Sequence, residues 1–198
     1  MTETHILILA AGASSRMRGA DKLLERLEDQ PQIARIASAA LATGLPVTVA
    51  LPPDRPARAA ALAGLAVTPV IAADAAGGMA ESLKSGLAAL PGDAAVLLLL
   101  ADLPEITAED LRAVLQAAAT APQLIHRGTA ADGTPGHPVL FPPWARAEMA
   151  ALQGDEGARG LLRRHADRVR PVPLPGRHAT TDLDTPEDWA AFRALRGQ

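Results

Sequence analysis

The sequence is poor in several residue types, and each shortage excludes something. It has 198 residues and no cysteine, which excludes disulfides, thiolate zinc sites and a cysteine nucleophile. Aromatic residues make up only 2% of the chain, so a core must be built from Ala, Leu, Val and Ile. The hydrophobic share of 48% excludes a disordered chain, and the length suits one well-packed domain.

The chain also has no excess of positive charge. The formal net charge is −3, which gives no basic footprint for nucleic acid. The start, "MTETHILILAAG", has an acid where a signal peptide has basic residues, and its apolar stretch is short. The longest later apolar run, Ala94 to Ala101, is far below membrane-spanning length. We therefore expect a cytoplasmic protein without membrane or nucleic-acid partners.

Lysine is the rarer of the two strong cations, with two residues against 17 arginines. The two are Lys22 and Lys84. Lysine carries a compact point charge, whereas arginine is a planar fork. A lysine kept among so many arginines indicates a position where the compact charge matters.

Apolar runs alternate with helical spacing through the first half of the chain. The segments predicted as strands are Ile6 to Ala11, Pro46 to Leu51, Ala66 to Ala72 and "AAVLLLLAD" (94–102). The segments predicted as helices are 22–44, ending at Gly44, an Ala-rich stretch near 55–65, Met79 to Leu90, and Thr107 to about Ala121. Such alternation is typical of a parallel sheet with helices on both faces.

The second half is less regular. "QLIHR", "GHPVLFP" and "VRPVPLP" are predicted as short strands, at least one of them antiparallel, while "DEGARGLLRRHA" and "TPEDWAAFRALRG" are predicted as helices. No repeat and no long linker divides residues 1–198. The predicted fold class is one α/β domain, a three-layer α/β/α sandwich with a mostly parallel mixed sheet.

The loop after the first strand, "LAAGASSRMRGADK" (9–22), combines small residues with Arg16, Arg18 and Lys22. It has neither the glycine–lysine–serine/threonine ending of a P-loop nor the dinucleotide G-x-G-x-x-G. Backbone amides in such a turn still offer donors to an anion, and the cations add charge-assisted bonds. The loop therefore indicates a polyphosphate site, the alternative being a plain strand-to-helix connection with solvated cations.

Three carboxylates are candidates for a metal site. Asp102 directly follows a buried strand, at the edge where open α/β sheets bind ligands, and would suit Mg²⁺; the alternative is a turn or capping residue. Asp182 and Asp184 are two apart, so in an extended segment they point the same way. We favour Asp182 as the partner of Asp102, with Asp184 left open.

The histidines show no ligand spacing among themselves. His137, between Gly136 and Pro138, is a candidate to contact an acceptor substrate, although a structural turn fits equally well. No G-x-S-x-G elbow is present, which argues against a serine hydrolase.

Taken together, these segments resemble the nucleotidyltransferases of the molybdenum-cofactor type. The matching motifs, in order, are "LILAAGASSRMRGADKLL", "GGMAESLKSGL", "LLLLADLP", "GHPVLF", "GDEGARGLL" and "DLDTPEDW". The resemblance implies a Rossmann-like mixed sheet, as in nucleotide-diphospho-sugar transferases. It also implies transfer of NMP from an NTP to a phosphorylated acceptor, with nucleotide binding in residues 1–105 and acceptor binding in residues 106–198.

Site residues follow from the resemblance position by position. Those implied in nucleotide binding are Leu9, Ala10, Ala11, Gly12, Arg16, Lys22 and Asp74. Arg16 and Lys22 would hold the triphosphate and, with Asp102, act in catalysis. Asp102 would bind Mg²⁺, the implied cofactor. The roles of Asp182 at the metal and of Gly136 and His137 at the acceptor are expectations from the residue patterns above, not from the resemblance.

The resemblance also bears on the substrates. The guanylyl branch has Leu-Ala-Gly-Gly where this chain has Leu-Ala-Ala-Gly at 9–12, so Ala11 replaces a glycine. The Ala-Ala-Gly form resembles that of the cytidylyltransferases, including the one that acts on the molybdenum cofactor. CTP and the molybdopterin cofactor are thus the expected substrates, with a molybdenum hydroxylase or its chaperone as a further partner. The cytidylyl enzyme commonly has Arg-Gly-Asn-Pro where this chain has Pro-Gly-His-Pro at 135–138, so the acceptor stays open. The alternatives are a GTP-using or other NTP transferase and a non-catalytic cofactor carrier.

Overall fold

Nine strands and seven α-helices form in the part of the chain that the structure, a computed structural model, describes: residues 3–74, 78–154 and 157–197. The strands are β1 (Thr4–Leu9), β2 (Arg26–Leu27), β3 (Gln30–Pro31), β4 (Val47–Leu51), β5 (Thr68–Ile71), β6 (Ala95–Leu100), β7 (Ile125–Thr129), β8 (Pro135–Phe141) and β9 (Val169–Pro173). The helices are α1 (Gln32–Leu41), α2 (Pro56–Ala61), α3 (Met79–Ala88), α4 (Ala108–Thr120), α5 (Arg146–Ala150), α6 (Arg159–Arg164) and α7 (Pro186–Leu195). None of these helices is long and apolar enough to cross a membrane.

Seven strands form one mixed sheet in the order β5-β4-β1-β6-β8-β7-β9. β1 pairs in parallel with both β4 and β6, and β4 pairs in parallel with β5. β8 runs antiparallel to β6 and to β7, and β9 returns parallel to β7. The mostly parallel mixed sheet and the predicted antiparallel strand of the second half are confirmed.

Helices cover both faces of the sheet, because successive side chains of a buried strand point to opposite sides. Ile6 and Ile8 of β1 belong to a core that includes Ile33 of α1. Leu7 belongs to a second core that includes Leu83 of α3. α3 lies so close to β1 that a Cβ added at Gly86 would be 2.5 Å from Leu7 Cδ1. The three-layer α/β/α architecture is therefore confirmed.

The single helix predicted over residues 22–44 is wrong. Only α1 is helical there, and β2 and β3 form a small antiparallel hairpin before it. Glu28 and Asp29, with φ of 50° and 64°, occupy the left-handed region at the turn. Pro31 lies just before α1 and has no amide hydrogen to give, so a helix running through it would lose a hydrogen bond and clash. The apolar spacing continued through the hairpin and concealed the break.

Two further segments depart from expectation. The helix predicted over 155–166 begins only at Arg159, with Asp155 and Glu156 outside the described residues, as is Gly77 of the "GGMAESLKSGL" motif. α5 was not predicted at all. By contrast, α7 begins at its predicted cap, where Thr185 Oγ1 accepts from the Asp188 amide at 3.2 Å and Asp188 accepts from the Thr185 amide at 2.9 Å.

A third, smaller core joins α7 to the loop after β1. Trp189 and Phe192 of α7 pack with Met17 of the loop, Leu27 of the hairpin and Leu183. Arg18 Nη2 also lies 2.8 Å from Glu187 Oε1. The loop that follows the first strand is thus held in place by the last helix.

Candidate active site

The loop after β1 forms one wall of a cavity of about 720 Å³ at the carboxyl ends of the parallel strands. Its backbone is sharply folded, with Ser14 and Arg18 both at φ 52° on either side of one 3₁₀ turn, Ser15–Met17. A Cβ added at Gly12 would point into open space. The loop therefore presents backbone to the cavity, as an anion-binding turn does.

A buried ion pair fixes this loop from behind. Arg58 of α2 is fully buried and forms a two-pronged contact with Asp21, Nε to Oδ2 at 2.8 Å and Nη2 to Oδ1 at 2.9 Å. The same guanidinium donates to the Ala10 carbonyl at 2.6 Å and to Ser14 Oγ at 3.1 Å. One side chain thus ties together both ends of the loop.

The contact between Arg58 and Asp21 is an ion pair, as the pKa of Asp21 indicates. Burial acts to raise the pKa of Asp21, but the hydrogen bonds and charge of Arg58, helped by the Leu23 amide and Arg55, outweigh it and hold that pKa below its usual value. The Asp21 carboxyl group is therefore ionised at neutral pH. Arg58 was not predicted as a functional residue, although an arginine among the alanines of α2 is a usable signal.

Three carboxylates meet in the cavity beside the loop. Asp102 follows β6, and Asp182 and Asp184 precede α7, yet one oxygen from each lies within 4.8 Å of the others. The structure thus brings Asp102 and Asp182 together as predicted, and it adds Asp184, the less favoured candidate.

Lys22 binds two of these carboxylates. Its Nζ lies 2.7 Å from Asp102 Oδ2 and 2.8 Å from Asp184 Oδ1. Burial disfavours the charged amine, but Asp102 and Asp184 outweigh it, so the pKa of Lys22 is raised. Arg16 Nη2 lies 2.7 Å from Asp184 Oδ2. Both cations expected to hold a triphosphate therefore border the cavity beside the carboxylates.

The cluster retains unsatisfied negative charge. Asp102 Oδ1 is buried and has no hydrogen-bond partner among the described residues. Burial, then Asp184 and Asp102, raise the pKa of Asp182. Closely spaced carboxylate oxygens with a free ligand atom suit a hard divalent cation such as Mg²⁺ or Mn²⁺, so the residues present fit a metal.

The other predicted nucleotide residues divide into two groups. Leu9, Ala10, Ala11 and Gly12 all line the cavity. Asp74 is exposed beside Ala73, which belongs to the cavity wall. Lys84 lies on α3 and pairs with Glu81 at 2.8 Å, so only one of the two lysines is in the site.

Gly136 and His137 have packing roles in the structure. A Cβ at Gly136 would lie 1.9 Å from the Ala179 carbonyl oxygen, and the His137 amide donates to that oxygen at 2.9 Å. Burial lowers the pKa of His137 to about 4, and the charge of Arg127 adds to this. The ring is therefore neutral at pH 7. Contact with an acceptor stays a prediction for both residues.

The loop after β1, with its Lys22, meets three carboxylates at the carboxyl ends of a mostly parallel sheet, which is the arrangement expected of a transferase that uses a nucleoside triphosphate. The sequence matches the MobA-like NTP transferase domain over residues 6–169, and the chain belongs to that family. No curated protein matches the sequence.

Solved structures agree with this assignment. Rv0371c from Mycobacterium tuberculosis H37Rv is 29% identical, with coverage of 100% of this chain and 98% of that one and a TM-score of 0.85. The complex of Rv0371c with manganese is 26% identical over 96% of this chain and 97% of that one, with a TM-score of 0.78. A CMP:2-keto-3-deoxy-manno-octonic acid synthetase complexed with CTP, 17% identical over 100% and 99% with a TM-score of 0.77, shares the fold.

Proposed function

We propose that this protein transfers CMP from CTP to the phosphate of the molybdopterin cofactor and releases pyrophosphate, with Mg²⁺ as its metal. The observation that carries the proposal is Lys22 held between Asp102 and Asp184 at the edge of the loop-walled cavity. The volume of about 720 Å³ is in the range of small-molecule sites, about 300–1,000 Å³.

The proposed chemistry requires no activated side-chain nucleophile. A phosphate monoester has its second pKa near 6, so at pH 7 it is already anionic and carries no proton that must be removed. Its oxygen forms a bond to the α-phosphorus of the NTP. The bond from that phosphorus to the oxygen bridging to the β-phosphorus breaks, and pyrophosphate leaves with the electron pair.

The side chains of the site would align the phosphates and neutralise their charge. Arg16 and Lys22 are placed to bind the triphosphate, and Asp102, Asp182 and Asp184 would hold the metal. When bound, Mg²⁺ supplies Lewis-acid neutralisation of phosphate charge. The manganese complex of Rv0371c supports a divalent ion in this family.

The choice of CTP rests on Ala11, which lies in the cavity wall. Its methyl group narrows the space for a two-ring purine, whereas a pyrimidine tolerates it. The CTP complex of a protein with the same fold supports a pyrimidine nucleotide. A guanylyltransferase is the second candidate, and a non-catalytic cofactor carrier is third because the loop and the carboxylates are all present.

The test is pyrophosphate release with each of four NTPs, with and without molybdopterin cofactor. We expect release with CTP that requires the acceptor. Ala11→Gly should raise kcat/KM for GTP by about 10- to 200-fold, the effect of one methyl group in a packed pocket. Ala20→Gly makes the same change later in the same loop, at a residue outside the cavity lining, and serves as the matched control. Equal or better use of GTP by the wild type would replace the cytidylyl assignment with the guanylyl one, and absence of release with every NTP would favour the carrier.

A further inference from the structure

A second cavity, of about 480 Å³, opens beside the first. Its lining is Arg127, Arg159, Leu162, Arg163, Ala166 and Val169. Every charged residue in this lining, within the described chain, is an arginine. The remaining lining is apolar.

The two cavities share a wall. Arg159, the first residue of α6, lines both of them. A molecule in the second cavity would therefore reach the nucleotide cavity at Arg159. This is the arrangement that a two-substrate transferase needs, because acceptor and NTP must meet at one phosphorus atom.

The arginines come from two elements, and a hydrogen bond orients one of them. Arg127 lies on β7, and its Nε donates to the Gly136 carbonyl at 3.1 Å, which orients the guanidinium. Arg159 and Arg163 are four residues apart on α6 and so share one face. Burial, and then the charge of Arg159, lower the pKa of Arg127, so Arg127 and Arg159 are like charges whose repulsion a bound anion would relieve.

We propose that this cavity, the arginine cavity, binds the acceptor as a phosphate monoester with an apolar or aromatic body. Arginine suits this ligand because its fork pairs with phosphate oxygens and its face stacks on rings. Leu162, Ala166 and Val169 give the body of the acceptor an apolar surface. The inference rests on the proposed function for the identity of the reaction, but the binding itself does not depend on which NTP is used.

The experiment is titration calorimetry on the full chain with phenyl phosphate as the probe. The variants are Arg127→Gln and Arg163→Gln. Arg163 is exposed, so its replacement spares the fold even if replacement of Arg127 does not. Arg164→Gln is the matched control, since Arg164 lies on the same helix but outside the lining of the arginine cavity. A parallel titration uses the non-hydrolysable NTP analogue that the wild type binds most tightly.

We expect each arginine-cavity variant to weaken phenyl phosphate binding about tenfold, in line with the loss of one charge-assisted hydrogen bond. Binding of the NTP analogue should stay within about twofold, and Arg164→Gln should change neither. Unchanged phenyl phosphate binding in both variants, or no binding by the wild type, would overturn the proposal.

Two further outcomes separate other sources of the anion. Equal loss of phenyl phosphate and NTP analogue would assign the arginines to the nucleotide, and inorganic phosphate binding as tightly as phenyl phosphate would reduce the cavity to a free-anion site. Either result overturns the acceptor assignment. Because no turnover is measured, the binding result can hold even where pyrophosphate release fails, so the two proposals fail separately.

Discussion

Lys22 carries the only positive charge that directly touches both Asp102 and Asp184 among the described residues. Without Lys22, the three carboxylates would lie close together and repel one another with no ammonium group between them. A divalent cation has the same sign and the same preference for carboxylate oxygen. Lys22 and a bound metal would therefore both act on the same carboxylates, and either one reduces the repulsion between them.

Lys22→Ala should lower kcat by about 10²- to 10³-fold, because one group that stabilises developing charge contributes about 2.7–4 kcal/mol. It should also lower Tm in metal-free buffer, and addition of Mn²⁺ should restore much of that loss. Lys84→Ala removes the other lysine, which pairs with Glu81 on α3, and should change neither quantity. Steady-state kinetics and thermal melts with and without Mn²⁺ measure both effects, and a near-normal rate in Lys22→Ala would exclude its catalytic role.

His137 should make stability depend on pH. Its pKa is about 4 in the folded chain against 6.5 for an ordinary histidine, so the unfolded chain binds the extra proton first. The contribution of His137 to the free energy of unfolding is therefore fully present above pH 6.5. It falls as the pH drops towards 4, by roughly 3 kcal/mol in all. In urea unfolding, His137→Gln should abolish most of this slope between pH 6.5 and 4. The same slope in the variant would show that other groups cause it.

Some of these residues were accessible from sequence and others were not. Asp102 was predicted because its position after an apolar run places it at the carboxyl edge of the sheet. The choice between Asp182 and Asp184 could not be predicted, because a spacing of two residues puts both side chains on the same side of an extended segment. Only the fold shows that both approach Asp102. Arg58 is conspicuous as an arginine among alanines, but its partner Asp21 is 37 positions away, and no local pattern predicts that pairing.

At the scale of elements, α2 acts on the site through one side chain. Arg58 is fully buried, and the Asp21 side chain is only 9% exposed. Removing one partner of such a pair leaves a buried charge alone, whereas replacing both with apolar residues is often tolerated. The position of the loop after β1 is thus coupled to the packing of the short helix α2.

Arg58→Met should lower the free energy of unfolding by about 3–5 kcal/mol and raise KM for the NTP, because the loop loses its anchor. Arg58→Met combined with Asp21→Leu should regain part of the stability but not the KM. Arg112→Met removes an exposed pair, with side-chain exposures of 50% and 81% at Arg112 and Glu109, and should cost no more than about 1 kcal/mol. Urea denaturation and kinetics of the three variants test this, and full recovery of KM in the double variant would contradict it.

The elements themselves were predicted unevenly for physical reasons. β1 and β6 are continuous apolar runs because they lie in the middle of a sheet covered on both faces, and they were predicted correctly. α4 and α7 were marked by capping residues. The hairpin of β2 and β3 was missed because Leu23, Leu24 and Leu27 keep helical spacing up to its turn. The turn itself uses non-glycine residues in the left-handed region.

At the scale of the whole molecule, residues 1–105 and 106–198, the proposed nucleotide and acceptor halves, contribute strands to one sheet. β6 pairs with β8 across the boundary near residue 105, and the carboxylates of the site come from both halves. The halves therefore should not unfold independently, as expected for one domain.

The two tryptophans make this testable, because Trp144 packs at the edge of one core and Trp189 is buried in another. Trp144→Phe leaves Trp189 as the reporter, and Trp189→Phe leaves Trp144. In guanidinium, each fluorescence transition should coincide with that variant's own loss of helical circular dichroism. A fluorescence transition that clearly precedes loss of helix in either variant would instead indicate two units.

The packing of Trp189 on Met17 also determines when the protein can become active during its synthesis. A ribosome that has just made the loop must add about 170 more residues before the helix that holds the loop exists, roughly 10 to 30 seconds at ordinary elongation rates. During that interval the nascent chain has β1 and its loop but neither Asp182 nor Asp184. A partly made chain is thus unable to assemble the complete carboxylate cluster, and nucleotide chemistry waits until translation has passed α7.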